Sequence, residues 1–234
     1  MNHCMLMMGG NGTRVGAEIP KQYIKINGKP IFYYILNKLQ KQEFIDTLII
    51  VANEAWHEYI KETIITMKIN KRYCIVNGGS NRSESIKSGL IKLSEYAKPE
   101  DIVLIHDATH PYVDTRGCKE IIKAIQKYDA VTLGAYQYDT CYLIDENNFI
   151  EKVIPREYLV SGASPEAFRF KFLSNIYLKA TSEELAKMTS AGALALKYGV
   201  KMYVVPVNIF NLKITFKEDL KLLKELINSY FFSV

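Results

Sequence analysis

Paired cysteines are missing from this chain. Its four cysteines, Cys4, Cys74, Cys118 and Cys141, lie far apart, with no C-x-x-C pair. Zinc ribbons and dithiol redox centres need closely spaced ligands, so neither fits, and four reduced thiols are expected. Also missing is any apolar run near the ~20 residues that a membrane-spanning helix needs. The first apolar stretch, Cys4 to Met8, is strand-sized and lacks the charged region and cleavage site of a leader. A cytoplasmic protein with no membrane partner is therefore expected. Blocks of like charge are absent too: 30 Lys and Arg stand against 25 Asp and Glu, spread along the chain to a net charge of +5. Nucleic-acid binders gather their cations into a stripe or tail, so nucleic acid is not the expected partner. A mild positive excess does suit phosphorylated anions. There is no internal repeat, low-complexity segment or Pro/Gly/Ser linker. A length of 234 residues with 48% hydrophobic content points to one domain over residues 1–234.

What is present is an alternation. Short apolar runs predict strands at His3–Met8, Thr47–Ala52, Arg72–Val76, Ile102–His106 and Ala130–Ala135. Between them, apolar positions three and four apart predict helices over Ile31–Gln42, Glu54–Met67, Arg82–Glu95 and Arg116–Lys127. Near-continuous apolar strands between helices indicate an α/β fold, a Rossmann-like, mostly parallel sheet with helices on both faces. Ligands of such sheets bind beyond the carboxyl ends of the strands. After about residue 137 the pattern breaks. Tyr138–Ile154 reads as two strands around the polar turn Asp145-Glu146-Asn147-Asn148, an inserted β-arm at about 138–160. A helix at Glu183–Lys197, strands at Lys201–Pro206 and Ile209–Ile214, and a helix at Lys217–Phe231 close the chain.

The first strand runs into Gly9-Gly10-Asn11-Gly12-Thr13-Arg14, with Lys21 downstream. A glycine loop lets backbone approach a ligand closely and leaves amide hydrogens free to cradle phosphate. It is not a P-loop, which ends Gly-Lys-Ser/Thr. Nor is it the dinucleotide fingerprint, whose third glycine would stand where Val15 does. Arg14 and Lys21 add two cations able to neutralise a triphosphate and stabilise departing pyrophosphate; surface charges on a solvated loop are the plainer reading. A second segment, Gly78-Gly79-Ser80-Asn81-Arg82-Ser83-Glu84-Ser85, opens a helix. Ser80 or Asn81 could simply cap that helix, or the loop and Ser85 could meet a base edge while Arg82 faces phosphate. The third segment is His106-Asp107-Ala108-Thr109-His110-Pro111. A carboxylate directly after an apolar strand is placed to hold Mg²⁺ bridging phosphate oxygens. His106 and His110 have helix-face spacing, but Pro111 argues against a helix and so against a metal pair. Arg156 beyond the arm, and Lys213 interrupting an apolar run, complete the candidates. Each could equally be a solvated or paired side chain.

Taken in order, these segments resemble the cytidylyltransferases of the isoprenoid and teichoic-acid pathways, which act on methylerythritol 4-phosphate and ribitol 5-phosphate. The resemblance rests on Gly10-Asn11-Gly12-Thr13-Arg14 with Pro20-Lys21-Gln22-Tyr23, on Gly78-Gly79 with Arg82 and Ser85, and on His106-Asp107-Ala108. Asp139-Thr140 and Asn211-Leu212-Lys213-Ile214-Thr215 with Asp219-Leu220 follow in order. It implies that Arg14 and Lys21 bind the CTP triphosphate, and that Met8, Gly9, Gly10, Gly12 and Thr13, with Gly79, Ser80, Arg82 and Ser85, hold the nucleotide. It further implies Asp107 near Mg²⁺, Lys213 at the acceptor or α-phosphate, and Arg156 reaching the acceptor of a neighbouring subunit, hence a homodimer joined by the β-arm. The chain departs from the family wording in places. His110 stands where an arginine is usual, and Ser164-Pro165-Glu166-Ala167-Phe168 replaces Thr-Pro-Gln-x-Phe. Thr189-Ser190-Ala191-Gly192 replaces Thr-Asp-x-Ala. These departures place His110, Glu166, Thr189 and Ser190 on the acceptor side, with the donor side kept.

The resulting expectation is CMP transfer from CTP to a small phosphorylated polyol, with pyrophosphate released. The wording of the first loop and of Asn211–Thr215 favours an alditol phosphate such as ribitol 5-phosphate over methylerythritol phosphate. Two other classes stay open: a nucleotide-binding relative without turnover, suggested by the lost arginine and acid, and a dinucleotide-dependent oxidoreductase. The missing third glycine, and the lack of an acid about 20 residues on, count against the last.

Overall fold

The structure is a computed structural model that describes residues 1–10, 19–208 and 211–229. Its first strands are β1 (Asn2–Met8), β4 (Thr47–Ala52), β5 (Arg72–Asn77) and β6 (Ile102–Asp107), all parallel neighbours in one sheet. That sheet also takes in β7 (Ala130–Tyr136), β10 (Val160–Arg169) and β11 (Tyr203–Val207), in the order β11-β7-β10-β6-β1-β4-β5. Strand β10 runs antiparallel between β6 and β7, and the other pairings are parallel. The two-residue strands β2 (Lys25–Ile26) and β3 (Lys29–Pro30) form a small hairpin, and β8 (Cys141–Ile144) pairs with β9 (Ile150–Ile154) as the arm.

Period-two alternation along β1 decides which layer each side chain joins. Cys4, Leu6 and Met8 face the cluster built with helices α1 (Ile31–Leu39), α2 (His57–Met67) and α4 (Thr115–Ala124). Met5 and Met7 face the opposite cluster, built with α3 (Arg82–Leu93), α5 (Phe170–Lys179), α6 (Ser182–Lys187) and α7 (Ala191–Lys197). Helices therefore cover both faces, as the apolar runs predict. A third, smaller cluster joins Ile26 and Ile31 to Leu212, Ile214 and Leu223 of α8 (Lys217–Asn228), tying the end of the chain to the segment after β1.

Four sequence expectations need correction. The helix expected over Glu183–Lys197 is two helices, because Ser190 caps α7 and breaks the run after α6. The strand expected at Ile209–Ile214 is not a strand over 211–214, and 209–210 lie outside the described residues. That segment is held instead by the Ile214 N–H on the Thr109 carbonyl, 2.8 Å. The helix expected to Gln42 ends at Leu39, and β10 with α5 were not anticipated as elements.

Candidate active site at the strand ends

A cleft of about 290 Å³ opens at the carboxyl edge of the sheet. Met7, Met8, Gly9 and Gly10 line it from the end of β1, Asp107 and Thr109 from the end of β6, and Asn81, Arg82 and Ser85 from the start of α3. Lys21, Gln22 and Lys213 close it. Strand β1 lies between β4 and β6, so the chain connections leave its two sides in opposite directions. That switch point is where open α/β sheets bind ligands.

One wall is made by backbone. The Gln22 amide donates to the Met8 carbonyl at 2.6 Å and to the Gly10 carbonyl at 2.9 Å, fixing the chain as it leaves β1. Opposite, the Ser85 hydroxyl accepts from the Gly79 N–H at 3.0 Å and donates to the Asn81 carbonyl at 2.8 Å. The loops after β1 and β5 meet over this hydroxyl. A Cβ on Gly9 would lie 3.2 Å from Ser85 Oγ, and one on Gly78 3.1 Å from it. At Gly79 a Cβ would fall 2.3 Å from Glu84 Cβ and 2.9 Å from its carbonyl carbon, so no side chain fits. Asn81 caps α3 through the Glu84 N–H, while Ser80 turns to the Glu84 carboxylate.

The other wall is made by charge. Arg82 donates through Nε (3.1 Å) and Nη2 (2.8 Å) to Asp107 Oδ1, and its Nη2 lies 3.6 Å from Glu166 Oε2. Lys213 Nζ stands 3.9 Å from Asp107 Oδ2. Burial alone would push the Asp107 carboxyl up, but the guanidinium, with His110 and Lys213 beyond it, holds it below its usual range. Burial likewise pulls Arg82 down, yet the two carboxylates leave it raised, so the pair stays fully charged. Lys21 is buried and donates to the Ile214 carbonyl, which joins the end of the glycine loop to the Lys213 segment. Beneath lie His106 and His110. Burial lowers each to about 4, against the pull of Asp107, so both are neutral at neutral pH. Where an arginine would add a permanent charge, this chain has a neutral ring.

Of the expected site residues, the structure brings Met8, Gly9, Gly10, Lys21, Arg82, Ser85, Asp107 and Lys213 into one cleft, with Gly79 directly behind it. Gly12, Thr13 and Arg14 lie outside the described residues. Ser80 is spent on Glu84 and does not line the cleft. Arg156 is exposed on the arm, where Nη1 donates to the Tyr138 carbonyl at 2.7 Å, away from the cleft of its own chain. Thr189 is exposed, and Ser190 accepts from the Ala193 N–H at 2.9 Å as the cap of α7. His110 is buried, its ring nitrogens without a hydrogen-bond partner among the described residues. Glu166 is engaged by Arg82 and by backbone, not turned into the cleft. Sequence reasoning missed Gln22, although its motif was in view. Its bracing of the Met8 and Gly10 carbonyls carries no local sequence signal, because it depends on where Gln22 lies in the fold.

Among the described residues no three or more His, Cys, Asp or Glu side chains gather as a metal cluster. A site for Mg²⁺ needs less. One carboxylate sharing the ion with phosphate oxygens suffices, and Asp107, at the cleft with Oδ2 only loosely approached by Lys213, fits that role.

Fold and cleft together define an α/β protein with a cleft lined by Lys21, Arg82 and Lys213 at the switch point of its sheet. Residues 3–229 match the family IspD: 2-C-methyl-D-erythritol 4-phosphate cytidylyltransferase. A protein of that name from Clostridium botulinum is 34% identical over 97% of this chain and 100% of its own length. A ribitol-5-phosphate cytidylyltransferase from Lacticaseibacillus paracasei is 30% identical over 94% of this chain and 95% of its own. Among solved structures, 4-diphosphocytidyl-2C-methyl-D-erythritol synthase of Anaerococcus prevotii superposes with a TM-score of 0.80 at 23% identity, covering 97% of this chain and 98% of that one. The chain belongs to the IspD family of CTP-dependent cytidylyltransferases. The oxidoreductase reading of the glycine loop falls with that finding. No helix among the described residues is long and apolar enough to cross a membrane.

Proposed function

We propose that this protein transfers CMP from CTP to 2-C-methyl-D-erythritol 4-phosphate. This reverses the preference for ribitol 5-phosphate drawn from sequence wording, since the family match and the 34%-identical relative both carry the methylerythritol name. The observation that carries the reading is the cleft itself, where Lys21, Lys213 and the Arg82–Asp107 pair surround the end of β1. An oxygen of the acceptor phosphate attacks the α-phosphorus of CTP, and the bond from that phosphorus to the bridging oxygen breaks. The electron pair leaves with pyrophosphate. Such transfer depends on positioning and charge neutralisation more than on a protein base. Lys21 and Arg14 neutralise the triphosphate, Lys213 faces the α-phosphate and acceptor, and Ser85 with the glycine loops positions the nucleotide. Asp107 would hold Mg²⁺, and the ion would supply neutralising charge to the phosphates.

Arg156 serves the neighbouring subunit of a homodimer joined by the arm. Two features support this: Arg156 does not line the cleft of its own chain, and the arm exposes apolar side chains, with Phe149 72% and Tyr158 86% exposed. The test is pyrophosphate release with CTP, Mg²⁺ and a panel of methylerythritol, ribitol and other alditol phosphates. Methylerythritol phosphate should lead in kcat/KM by about a hundredfold, a margin within reach of unpaired polar contacts to the wrong acceptor. Faster turnover of ribitol phosphate would overturn the acceptor. Silence across the panel with CTP binding intact would mark a relative without turnover.

A further inference from the structure

We infer that Glu166 is a positioning residue of the transfer reaction: from strand β10, behind the cleft, it holds Arg82 and pins the start of α7, with the room for its carboxylate left by glycine at 192. Both carboxylate oxygens are committed. Oε1 accepts from the Gly192 N–H at 2.8 Å, and Oε2 accepts from the Ala191 N–H at 3.3 Å while facing Arg82 Nη2 at 3.6 Å. Its side chain is 14% exposed, and Arg82 carries it to the cleft.

A side chain at 192 would force the Glu166 carboxylate and the Met202 thioether to move. A Cβ at position 192 would stand 2.7 Å from Glu166 Oε1 and 2.7 Å from Met202 Sδ. Three departures from the family wording then become one change. An acid is absent at 190, where Ser190 caps with a neutral hydroxyl; an acid stands instead at 166; and residue 192, whose own N–H binds that acid, is glycine where the family wording has alanine. The negative charge at the start of α7 has moved from the helix to the strand beside it.

Arg82 depends on this charge. Its Nε and Nη2 face carboxylates, while the buried Nη1 has no hydrogen-bond partner among the described residues. Two acids therefore share one guanidinium, which leaves Asp107 Oδ2 turned toward Lys213 rather than folded fully onto the arginine. With Glu166 neutral, Arg82 would close on Asp107 alone and move the charges that meet the reacting phosphates.

The inference rests on cytidylyl transfer and not on which polyol phosphate accepts. Initial rates are measured with CTP and the acceptor varied separately, using methylerythritol 4-phosphate and, in a second arm, ribitol 5-phosphate. Absence of turnover by the unaltered protein in both arms would indict the reaction reading before any variant is compared. Glu166→Gln should lower kcat about tenfold and leave the KM for CTP within about twofold, the pattern of an interaction realised in the transition state. Gly192→Ala should do the same by displacing the carboxylate, and the two changes together should cost no more than Glu166→Gln alone. Adding Ser190→Asp to Glu166→Gln should return kcat to within about threefold of the starting protein, about half of the loss on a logarithmic scale or better. The inference is overturned if Glu166→Gln changes neither constant, if it raises both KM values with kcat intact, if its effect multiplies with that of Gly192→Ala, or if Ser190→Asp restores nothing.

Discussion

The wall of the cleft built by β1, β4 and β5 is held by neutral hydrogen bonds and by glycines in close contact. The wall at the end of β6, backed by Glu166 of β10, is held by charge. On the first, Gln22 and Ser85 fasten backbone groups, and a single added carbon at Gly79 would collide with Glu84. On the second, ion pairs run in a chain from Glu166 to Arg82, from Arg82 to Asp107 and from Asp107 to Lys213. The first wall should answer to volume and the second to charge. A nucleotide is recognised by fixed backbone geometry, whereas charge developing between two phosphates is met by movable ions.

Arg82→Ala breaks the charged wall most completely. It strands two carboxylates that are less than a fifth exposed, so a loss of about 3 kcal/mol in stability should accompany a fall of about a thousandfold in kcat/KM. Thermal melts and initial rates check both, and a variant with the original melting temperature would show that the network carries no structural weight. Lys21→Ala sharpens the comparison, because Lys21 belongs by position to the backbone wall and by chemistry to the charged one. Its kcat/KM should drop about a hundredfold, as for a lost transition-state donor, and a drop below about threefold would remove Lys21 from the reaction. Gln22→Leu tests the neutral wall. With the Met8 and Gly10 carbonyls released, the KM for CTP should rise about tenfold with kcat nearly kept, the mark of lost uniform binding. A fall in kcat instead would place Gln22 with the charged set.

The neutral wall was also the more legible one. Its strands are unbroken apolar runs, and Thr47–Ala52 was readable to the residue because turns bound it on both sides. Gly9 and Gly79 announced close approach, which glycine spacing encodes locally. The charged wall is written in residues far apart. Strand β10 holds Gly162, Pro165 and Glu166 in its interior, each a poor strand former, so a central strand left no strand pattern in the sequence. Met188-Thr189-Ser190 breaks a helical pattern that hydrophobic period alone would continue, and only the capping preference of Ser190 marked the stop. Asp107 and Lys213 were visible as chemistry in odd places. That Glu166 meets Arg82 and Gly192 depends on a placement of β10 beside the start of α7 that no local pattern records.

The smallest effect separates the walls by pH. His106 and His110 sit under the charged wall with pKa values pushed by burial to about 4, from 6.5 for an exposed ring. The unfolded chain therefore takes up protons at a higher pH than the folded one. Their share of stability is intact above pH 6.5 and drains away as the pH falls toward 4. Asp107, held below its ordinary range, adds its own loss only at lower pH, near and under the usual carboxylate value. In His110→Gln one of the two rings no longer titrates. Between pH 7 and 5.5 that variant should lose about 1 kcal/mol less stability than the unaltered protein, whatever the substitution costs at neutral pH. Denaturant midpoints at the two pH values give the difference directly. Equal losses would mean that the His110 ring takes up its proton in the folded protein, beside Asp107, and that the charged wall gains a cation in acid.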